Sequence, residues 1–219
     1  MRTYVSLIGY NTTSVTRVLL SRGLETDDTV VLLRPTTGTD DSRAREAIGD
    51  VERMFEEIEP EVSVAVERVP HDDFPSAVLT CSDVLRAAAG RLIVNLSGGA
   101  RDVFLPFAVA VLAHASQVDT ALAFSDIDGK VRERELPILT ADMSDSARKT
   151  LALIEEREEN GRGVSIPDLT ERSEKAKSTV TRHIAQLAED GVVATSQNGK
   201  TKHARTTLTG RLLLRASQG

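Results

Sequence analysis

Residues 93–112 read IVNLSGGARDVFLPFAVAVL, and this stretch decides the fold of the first part of the chain. Its start belongs to a predicted buried strand, Arg91–Leu96, and its apolar end belongs to a predicted helix, Asp102–Gln117. Gly98 and Gly99 stand between them, where glycine permits the tight turn from a strand into a helix. The stretch therefore predicts a strand–loop–helix unit with a polar, glycine-rich loop.

The same alternation of strand and helix patterns continues through the first half of the chain. The predicted strands are Thr3–Ile8, Thr29–Leu33, Val62–Arg68, Arg91–Leu96 and Thr120–Phe124. The predicted helices are Thr13–Arg22, Asp41–Ile58, Phe74–Ala89 and Asp102–Gln117. This alternation predicts an α/β fold, a Rossmann-like, doubly wound and mainly parallel sheet with helices on both faces. The following stretch, FSDIDGKVRERELPI, predicts a hairpin with Asp128-Gly129 as its turn.

Composition predicts a soluble, cytoplasmic protein. The single cysteine, Cys81, excludes an internal disulfide, fits a reducing compartment and is interpreted as a small buried hydrophobe. No apolar run reaches the roughly 20 residues that a membrane-spanning helix needs. The first residues, MRTYVSLIG, predict a strand with no cleavage site behind it, so we expect no signal peptide.

The charge of the chain is unevenly distributed. Residues 1–143 carry 14 lysines and arginines against 23 aspartates and glutamates, whereas residues 144–219 carry 13 against 10. An acidic first part and a basic second part indicate two domains, the second suited to nucleic acid. We expect a first domain at 1–138, a linker at 139–146 and a DNA-binding domain at 147–219.

Three loops that follow predicted strands are rich in Gly, Thr, Ser and Asn. They read GYNTTS (9–14), RPTTGTDD (34–41) and NLSGGARD (95–102). In a doubly wound sheet such loops meet at the carboxyl ends of the strands, where ligands bind. Helix N-termini there bind anions, and Arg101 can add a bidentate contact to a phosphate. The loops together predict a polar cleft for a phosphate-bearing ligand.

A second interpretation of the glycine pair stays open, in which Gly98 and Gly99 only allow the chain to turn. The chain contains neither G-x-G-x-x-G nor G-x-x-x-x-G-K-[ST], so it lacks the sequence signatures of a dinucleotide-binding site and of a P-loop.

No catalytic residue, metal ligand or cofactor is predicted. Ser97 lacks the G-x-S-x-G pattern of a nucleophile elbow, and His71 and His114 have no obvious partners. Asp72-Asp73 precedes a predicted helix and is interpreted as a cap rather than a pair of catalytic carboxylates. No cysteine and histidine cluster has the spacing of metal ligands.

The second part of the chain has the pattern of a winged helix-turn-helix. Ser144 or Asp145 caps a helix that runs to about Glu159, where NGRG stops it, and Ser165 caps the next helix. A third helix, Ala176–Gly191, is the predicted recognition helix. An Asn198-Gly199 turn then joins two strands into a wing, and Thr209–Ala216 closes the unit.

Twelve polar residues of this unit are predicted to contact DNA, His183 among them because we expect it to lie off the buried face of its helix. Those of the turn and recognition helix are Lys175, Lys177, Ser178, Thr179, Thr181, Arg182, His183 and Gln186. Those of the wing are Lys200, Lys202, His203 and Arg205.

The chain resembles the CRISPR-associated regulators that join a CARF domain (CRISPR-associated Rossmann fold) to a winged helix-turn-helix. The resemblance spans nearly the whole chain and rests mainly on YVSLIGYNTTSVTRVL and IVNLSGGARDVFLPFAVAVL. It implies a homodimer of the CRISPR antiviral defence whose paired loops bind cyclic oligoadenylate, typically the tetra-adenylate ring. Carried over, the ligand-binding residues are Gly9, Tyr10, Asn11, Thr12, Ser97, Gly98, Gly99, Ala100 and Arg101. The second loop adds Thr36, Thr37 and Gly38.

The leading functional hypothesis is a transcription regulator that binds double-stranded DNA and responds to the ring. Two alternatives are a ring nuclease and an operator-binding repressor that senses a different nucleotide. Because no lysine or histidine lies near the first and fourth loops, we expect binding without efficient cleavage.

Overall fold

A computed structural model of the chain describes residues 1–36, 41–158, 163–173, 175–199 and 201–216. The chain forms two compact units, Met1–Glu135 and Leu136–Gly219. Among the described helices, none combines the length and the apolar character that a bilayer span requires.

The first unit is a six-stranded sheet with four helices. Its strands are β1 (Arg2–Leu7), β2 (Thr29–Pro35), β3 (Ser63–Val69), β4 (Arg91–Asn95), β5 (Thr120–Phe124) and β6 (Val131–Arg134). Its helices are α1 (Thr13–Arg22), α2 (Asp41–Ile58), α3 (Phe74–Ala87) and α4 (Arg101–Ala113). The strand order is β3-β2-β1-β4-β5-β6, and only β6 runs antiparallel. The predicted Rossmann-like fold is confirmed.

Successive side chains of a strand point to opposite faces of the sheet, so each face can pack against its own helices. Tyr4 and Ile8 of one sheet face pack with Val15 of α1 and Phe55 of α2 in a common apolar core. The chain reverses its direction of winding after β3, and right-handed crossovers then place α3 and α4 on the opposite face. Cys81 of α3 is fully buried, as expected for a small core residue.

The winding reverses between β1 and β4, which are neighbours in the sheet. The loop after β1 leads into a helix on one face, and the loop after β4 leads into a helix on the other. The two loops diverge, and a crevice opens between them at the carboxyl ends of the strands. The fold therefore places the first and fourth loops next to each other.

The second unit is a winged helix. Its elements are α5 (Asp145–Arg157), β7 (Val164–Ser165), α6 (Ile166–Arg172), α7 (Lys177–Glu189), β8 (Val193–Asn198), β9 (Thr201–Thr206) and α8 (Leu208–Ala216). The strands form an antiparallel sheet in the order β7-β9-β8. The predicted caps are present, since the Ser144 and Ser165 hydroxyls accept hydrogen bonds from the N–H groups of Ala147 and Asp168.

The second unit begins at Leu136, ahead of the residues predicted as a linker. Met143 is buried in the core of this unit, and Ala141 packs against it. The N–H of Ile138 donates to the Thr209 hydroxyl at 2.9 Å. Within the range 139–146, Ala141 and Met143 thus pack against the winged helix, and α5 begins at Asp145.

Candidate functional site

A cleft of about 350 Å³ opens at the carboxyl ends of β1, β4 and β5. Six predicted ligand residues line it: Gly9, Tyr10, Asn11, Ser97, Gly98 and Gly99. Four more lining residues were not predicted: Thr13, Ser14, Phe124 and Asp126. The structure therefore brings the first and fourth loops together, as the sequence predicted, and adds the loop that follows β5.

Gly98 and Gly99 both need to be glycine, for two reasons. Their φ angles are +77° and +74°, in the left-handed region that other residues rarely adopt. A Cβ atom on Gly98 would lie 2.2 Å from the Ser14 hydroxyl oxygen, and one on Gly99 would lie 2.5 Å from Cβ of Leu7. The loop therefore passes directly over β1 and α1, and its backbone is left uncovered on the cleft side.

Ser97 holds the floor of the cleft through a buried polar network. Its hydroxyl donates to Oδ1 of Asn95 and accepts the N–H of Phe124 at 3.1 Å. The Asn95 amide in turn donates to the Ser6 hydroxyl at 2.9 Å and to the Ser14 carbonyl at 3.2 Å. The network joins β1, α1, β4 and β5, so the Ser97 hydroxyl is already engaged in supporting the loop.

Asn11 is oriented by the start of α1. Its Oδ1 atom accepts the N–H of Thr13 at 2.8 Å, which leaves the amide nitrogen as the outward-facing donor of this side chain. The N-cap residues Thr12 and Ala100 form no side-chain cap hydrogen bond with α1 or α4, and the first turn of α4 contains Asp102. The first turns of α1 and α4 lie at one sheet edge, and their N–H groups favour an anion.

Tyr10 stands at the mouth of the cleft with about half of its surface exposed. The guanidinium carbon of Arg43 from α2 lies 4.9 Å from the centre of the Tyr10 ring, a cation–π contact that the sequence did not predict.

Several predicted ligand residues do not line the cleft. Arg101 is exposed at the start of α4, and Thr12, Thr36 and Ala100 also lie outside the lining. Thr37 and Gly38 fall outside the described residues. Their ligand contacts remain predictions.

In the first unit, the candidate nucleophile Cys81 is buried, the candidate base His114 is hydrogen-bonded, and Asp73 is placed at a helix end. Burial raises the pKa of the Cys81 thiol to about 11, which keeps it protonated. The expectation that His114 lacks partners is wrong, because its ring lies 2.7 Å from the Ser82 hydroxyl and 3.2 Å from Oε1 of Gln117. Asp73 occupies the N-cap position of α3 without a side-chain bond to the backbone. Within the described part of the chain, no group of three or more His, Cys, Asp or Glu could hold a metal ion.

Helix α7 presents most of the predicted DNA contacts to solvent. Lys177, Ser178, Thr181, Arg182 and Gln186 are exposed, and Thr179 is half-buried. On the wing, Lys202 and Arg205 are exposed and His203 is half-buried, while Lys200 lies outside the described residues.

Lys175 is engaged within the unit. Its ammonium donates to the Ser146 carbonyl at 2.6 Å and to the Thr150 hydroxyl at 3.3 Å. The cation therefore ties the turn before α7 to the start of α5.

The expectation that His183 lies off the buried face is wrong. Only 4% of the residue is exposed, and its Nδ1 atom lies 2.9 Å from the Thr150 hydroxyl. Burial, together with the charges of Lys175 and Arg182, lowers the pKa of His183. The residue follows Val180 by three positions and precedes Leu187 by four, the spacing of one helix face. It packs α7 against α5 and is not available to DNA.

Models of two protein families match the chain. The model described as the Csa3 CRISPR-associated Rossmann-like domain matches residues 2–140. The model described as winged helix-turn-helix DNA-binding matches residues 143–194. No curated protein matches the chain.

The chain shows partial similarity to three solved structures. AF1382 from Archaeoglobus fulgidus is 22% identical with a TM-score of 0.32, over 35% of this chain and 84% of its own. VC1899 from Vibrio cholerae is 11% identical with a TM-score of 0.46, over 97% of this chain and 64% of its own. Enterococcus italicus Csm6, bound to cyclic hexa-2'-fluoro-hexa-dAMP, is 11% identical with a TM-score of 0.48, over 87% of this chain and 55% of its own.

Proposed function

The chain belongs to the Csa3 CRISPR-associated Rossmann-like domain family, and from this premise we propose that its winged helix responds to cyclic oligoadenylate bound in the first unit. Its two matched domains make it a CRISPR-associated DNA-binding regulator. What we propose beyond this is that the first unit binds the ring, that the protein is a dimer, and that ring binding is coupled to DNA binding.

The observation that carries the proposal is the chemistry of the cleft. It lies where the winding of the sheet reverses, the usual ligand site of such folds. Bare backbone of Gly98 and Gly99, the amide nitrogen of Asn11 and the N-termini of α1 and α4 line or adjoin it. These groups donate hydrogen bonds to phosphates without a basic side chain. The family resemblance names cyclic tetra-adenylate as the ligand.

A homodimer fits both the ligand and the surface. A cyclic tetranucleotide has rotational symmetry, so two copies of one cleft can bind it across a two-fold axis. Helix α4, which begins beside the cleft, exposes Phe104, Leu105 and Val109, and the neighbouring α3 exposes Leu79. We propose this apolar α3–α4 surface as the dimer contact.

We propose that the cleft binds the ring without cleaving it efficiently. Its described lining contains no lysine, arginine or histidine, and Asp126 is its one carboxylate, so an acid and a base do not stand there as a pair. The Ser97 hydroxyl already donates to Asn95. Incubation of the ring with purified protein should leave it intact, and linear products at a useful rate would favour the nuclease alternative.

The substitution Asn11→Asp tests the site. The aspartate keeps the oxygen that caps Thr13 but replaces the outward donor with a negative charge. We expect ring affinity to fall at least about tenfold, because a charged hydrogen bond is lost and repulsion is added. Asn198→Asp, the same change in the wing, should leave ring affinity unchanged.

Binding is measured by calorimetry and by thermal shift against cyclic tetra-adenylate, cyclic hexa-adenylate, mononucleotides and NAD. If only a mononucleotide or NAD raises the melting temperature, that nucleotide, and not the ring, is the ligand of the cleft. Equal ring affinity of wild type and Asn11→Asp would contradict the assignment of this cleft as the ring-binding site.

A further inference from the structure

Asp126 is the one charged side chain among the described lining residues of the cleft. It lies after β5, in a loop that is not one of the three predicted binding loops. A carboxylate in a cleft built for an anion requires an explanation, because a carboxylate and a phosphate both accept hydrogen bonds and repel each other. Asp126 is therefore suited to contact a part of the ligand that donates a hydrogen bond.

The loop holds Asp126 in place through its backbone. The N–H of Ser125 donates to the Lys130 carbonyl at 2.9 Å, and the N–H of Gly129 donates to the Ser125 carbonyl at 2.8 Å. Asp128 in the same loop forms an ion pair with Arg132. Asp126 forms no ion pair with any residue that the structure describes, so its carboxylate is open to a ligand.

Phe124 lies two residues before Asp126 and also lines the cleft. Its N–H is fixed by the Ser97 hydroxyl, and its side chain is half-buried. An aromatic side chain is a platform for a nucleobase. The cleft thus has backbone donors at the two glycines, and an aromatic side chain with a carboxylate at Phe124 and Asp126.

We propose that Asp126 determines base specificity by accepting a hydrogen bond from the exocyclic amine of an adenine that packs beside Phe124. A base with a carbonyl at the same position, such as hypoxanthine, would point an acceptor at the carboxylate and be rejected. This inference rests on the proposed function, since it assumes that a nucleotide ring occupies the cleft. It makes Asp126 a specificity residue and assigns it no part in catalysis.

The test compares three rings on wild type, Asp126→Asn and Asp126→Ala by calorimetry. The rings are cyclic tetra-adenylate, its inosine counterpart and its 2′-deoxy counterpart. Wild type should prefer adenine to inosine by about tenfold or more, because a hydrogen bond to a charged group is replaced by repulsion. In Asp126→Asn the ratio should fall toward one, because an amide can also donate to a carbonyl. Asp126→Ala should lose the preference as well.

Glu61→Gln is the matched control, an equal change of charge on an exposed residue outside the cleft lining, and should retain the preference. Both Asp126 variants should unfold at the wild-type temperature, because the side chain is exposed. An adenine preference that survives in both variants overturns the inference and leaves the proposed function standing. A wild type that discriminates against the 2′-deoxy ring but not the inosine ring overturns it in favour of a ribose contact. Failure of wild type to bind any ring overturns the proposed function and this inference together.

Discussion

At the scale of single residues, Asp28 is the most deeply buried carboxylate of the first unit among those described. It accepts hydrogen bonds from the Arg2 guanidinium at 2.6 Å and from the N–H groups of Arg2 and Glu25 at 2.8 and 2.9 Å. Burial opposes its ionisation, but these bonds outweigh burial and hold the pKa of Asp28 below its ordinary value. The pair fastens the start of β1 to the start of β2.

Asp28→Asn should lower the free energy of unfolding by about 3 kcal/mol, because it leaves the partly buried Arg2 charge without its buried partner. Glu25→Gln removes the other partner of Arg2, but that carboxylate is 69% exposed, so it should cost little. Urea unfolding followed by circular dichroism measures both. Equal losses in the two variants would contradict the role of burial.

His183 makes a pH-dependent contribution to stability. Because its pKa is lowered in the fold, the folded unit holds it neutral, and its contribution is complete above the ordinary value of about 6.5. That contribution is lost as pH falls below this value, since the unfolded chain then binds the proton more readily. The melting temperature of the second unit should therefore drop between pH 7 and pH 5.

His183→Gln can keep a hydrogen bond to Thr150 and does not titrate, so it should reduce this drop. Arg182→Gln removes one neighbouring charge but leaves the imidazole, and should retain most of the drop. The same pH dependence in wild type and His183→Gln would exclude His183 as the source.

At the scale of elements, helix α7 is the part of the winged helix that we expect to enter the major groove. Arg182 is exposed on it, between buried residues that face the core. Arg182→Ala should weaken DNA binding and lower the slope of log affinity against log salt by about one, as expected for one lost phosphate contact. Ring binding should not change.

Lys149→Ala is the matched control for this prediction, since it removes one exposed positive charge from α5 of the same unit. Fluorescence anisotropy across a salt series measures both variants. An equal loss of affinity in Lys149→Ala would mean that net charge, rather than the face of α7, governs binding.

Sequence patterns predicted most of the elements because those elements are long and strongly periodic. The bounds of α1, α2 and β5 match the prediction, whereas β7 was missed, since two residues cannot display a period. His183 was misjudged as a polar surface residue, although its spacing from Val180 and Leu187 placed it on the core face. Asp126 and Phe124 were not predicted as site residues, because the stretch after β5 lacks the polar, glycine-rich pattern of the other three loops, although it lies at the same sheet edge.

At the scale of the whole molecule, the proposed function requires two copies of the chain. Leu105 is 57% exposed on α4, within the proposed dimer surface. Leu105→Glu should shift the protein from dimer to monomer, because two charges would meet across the two-fold axis. Ring affinity should fall with it, since each monomer retains one half of the site.

Ile58→Glu is the matched control, an equal substitution at an exposed apolar residue of α2. Light scattering after gel filtration gives the mass of each variant. A wild type that is monomeric at the concentrations used for ring binding would contradict the paired cleft.

The central claim is that ring binding and DNA binding are coupled, and the most direct measurement is DNA affinity with and without the ring. Duplexes selected from a random pool by the protein supply the DNA, and anisotropy gives the affinity at one fixed salt concentration. Cyclic tetra-adenylate should change that affinity by about 5-fold to 150-fold, and the DNA should change ring affinity by the same factor. Equal DNA affinity with and without saturating ring would contradict the claim.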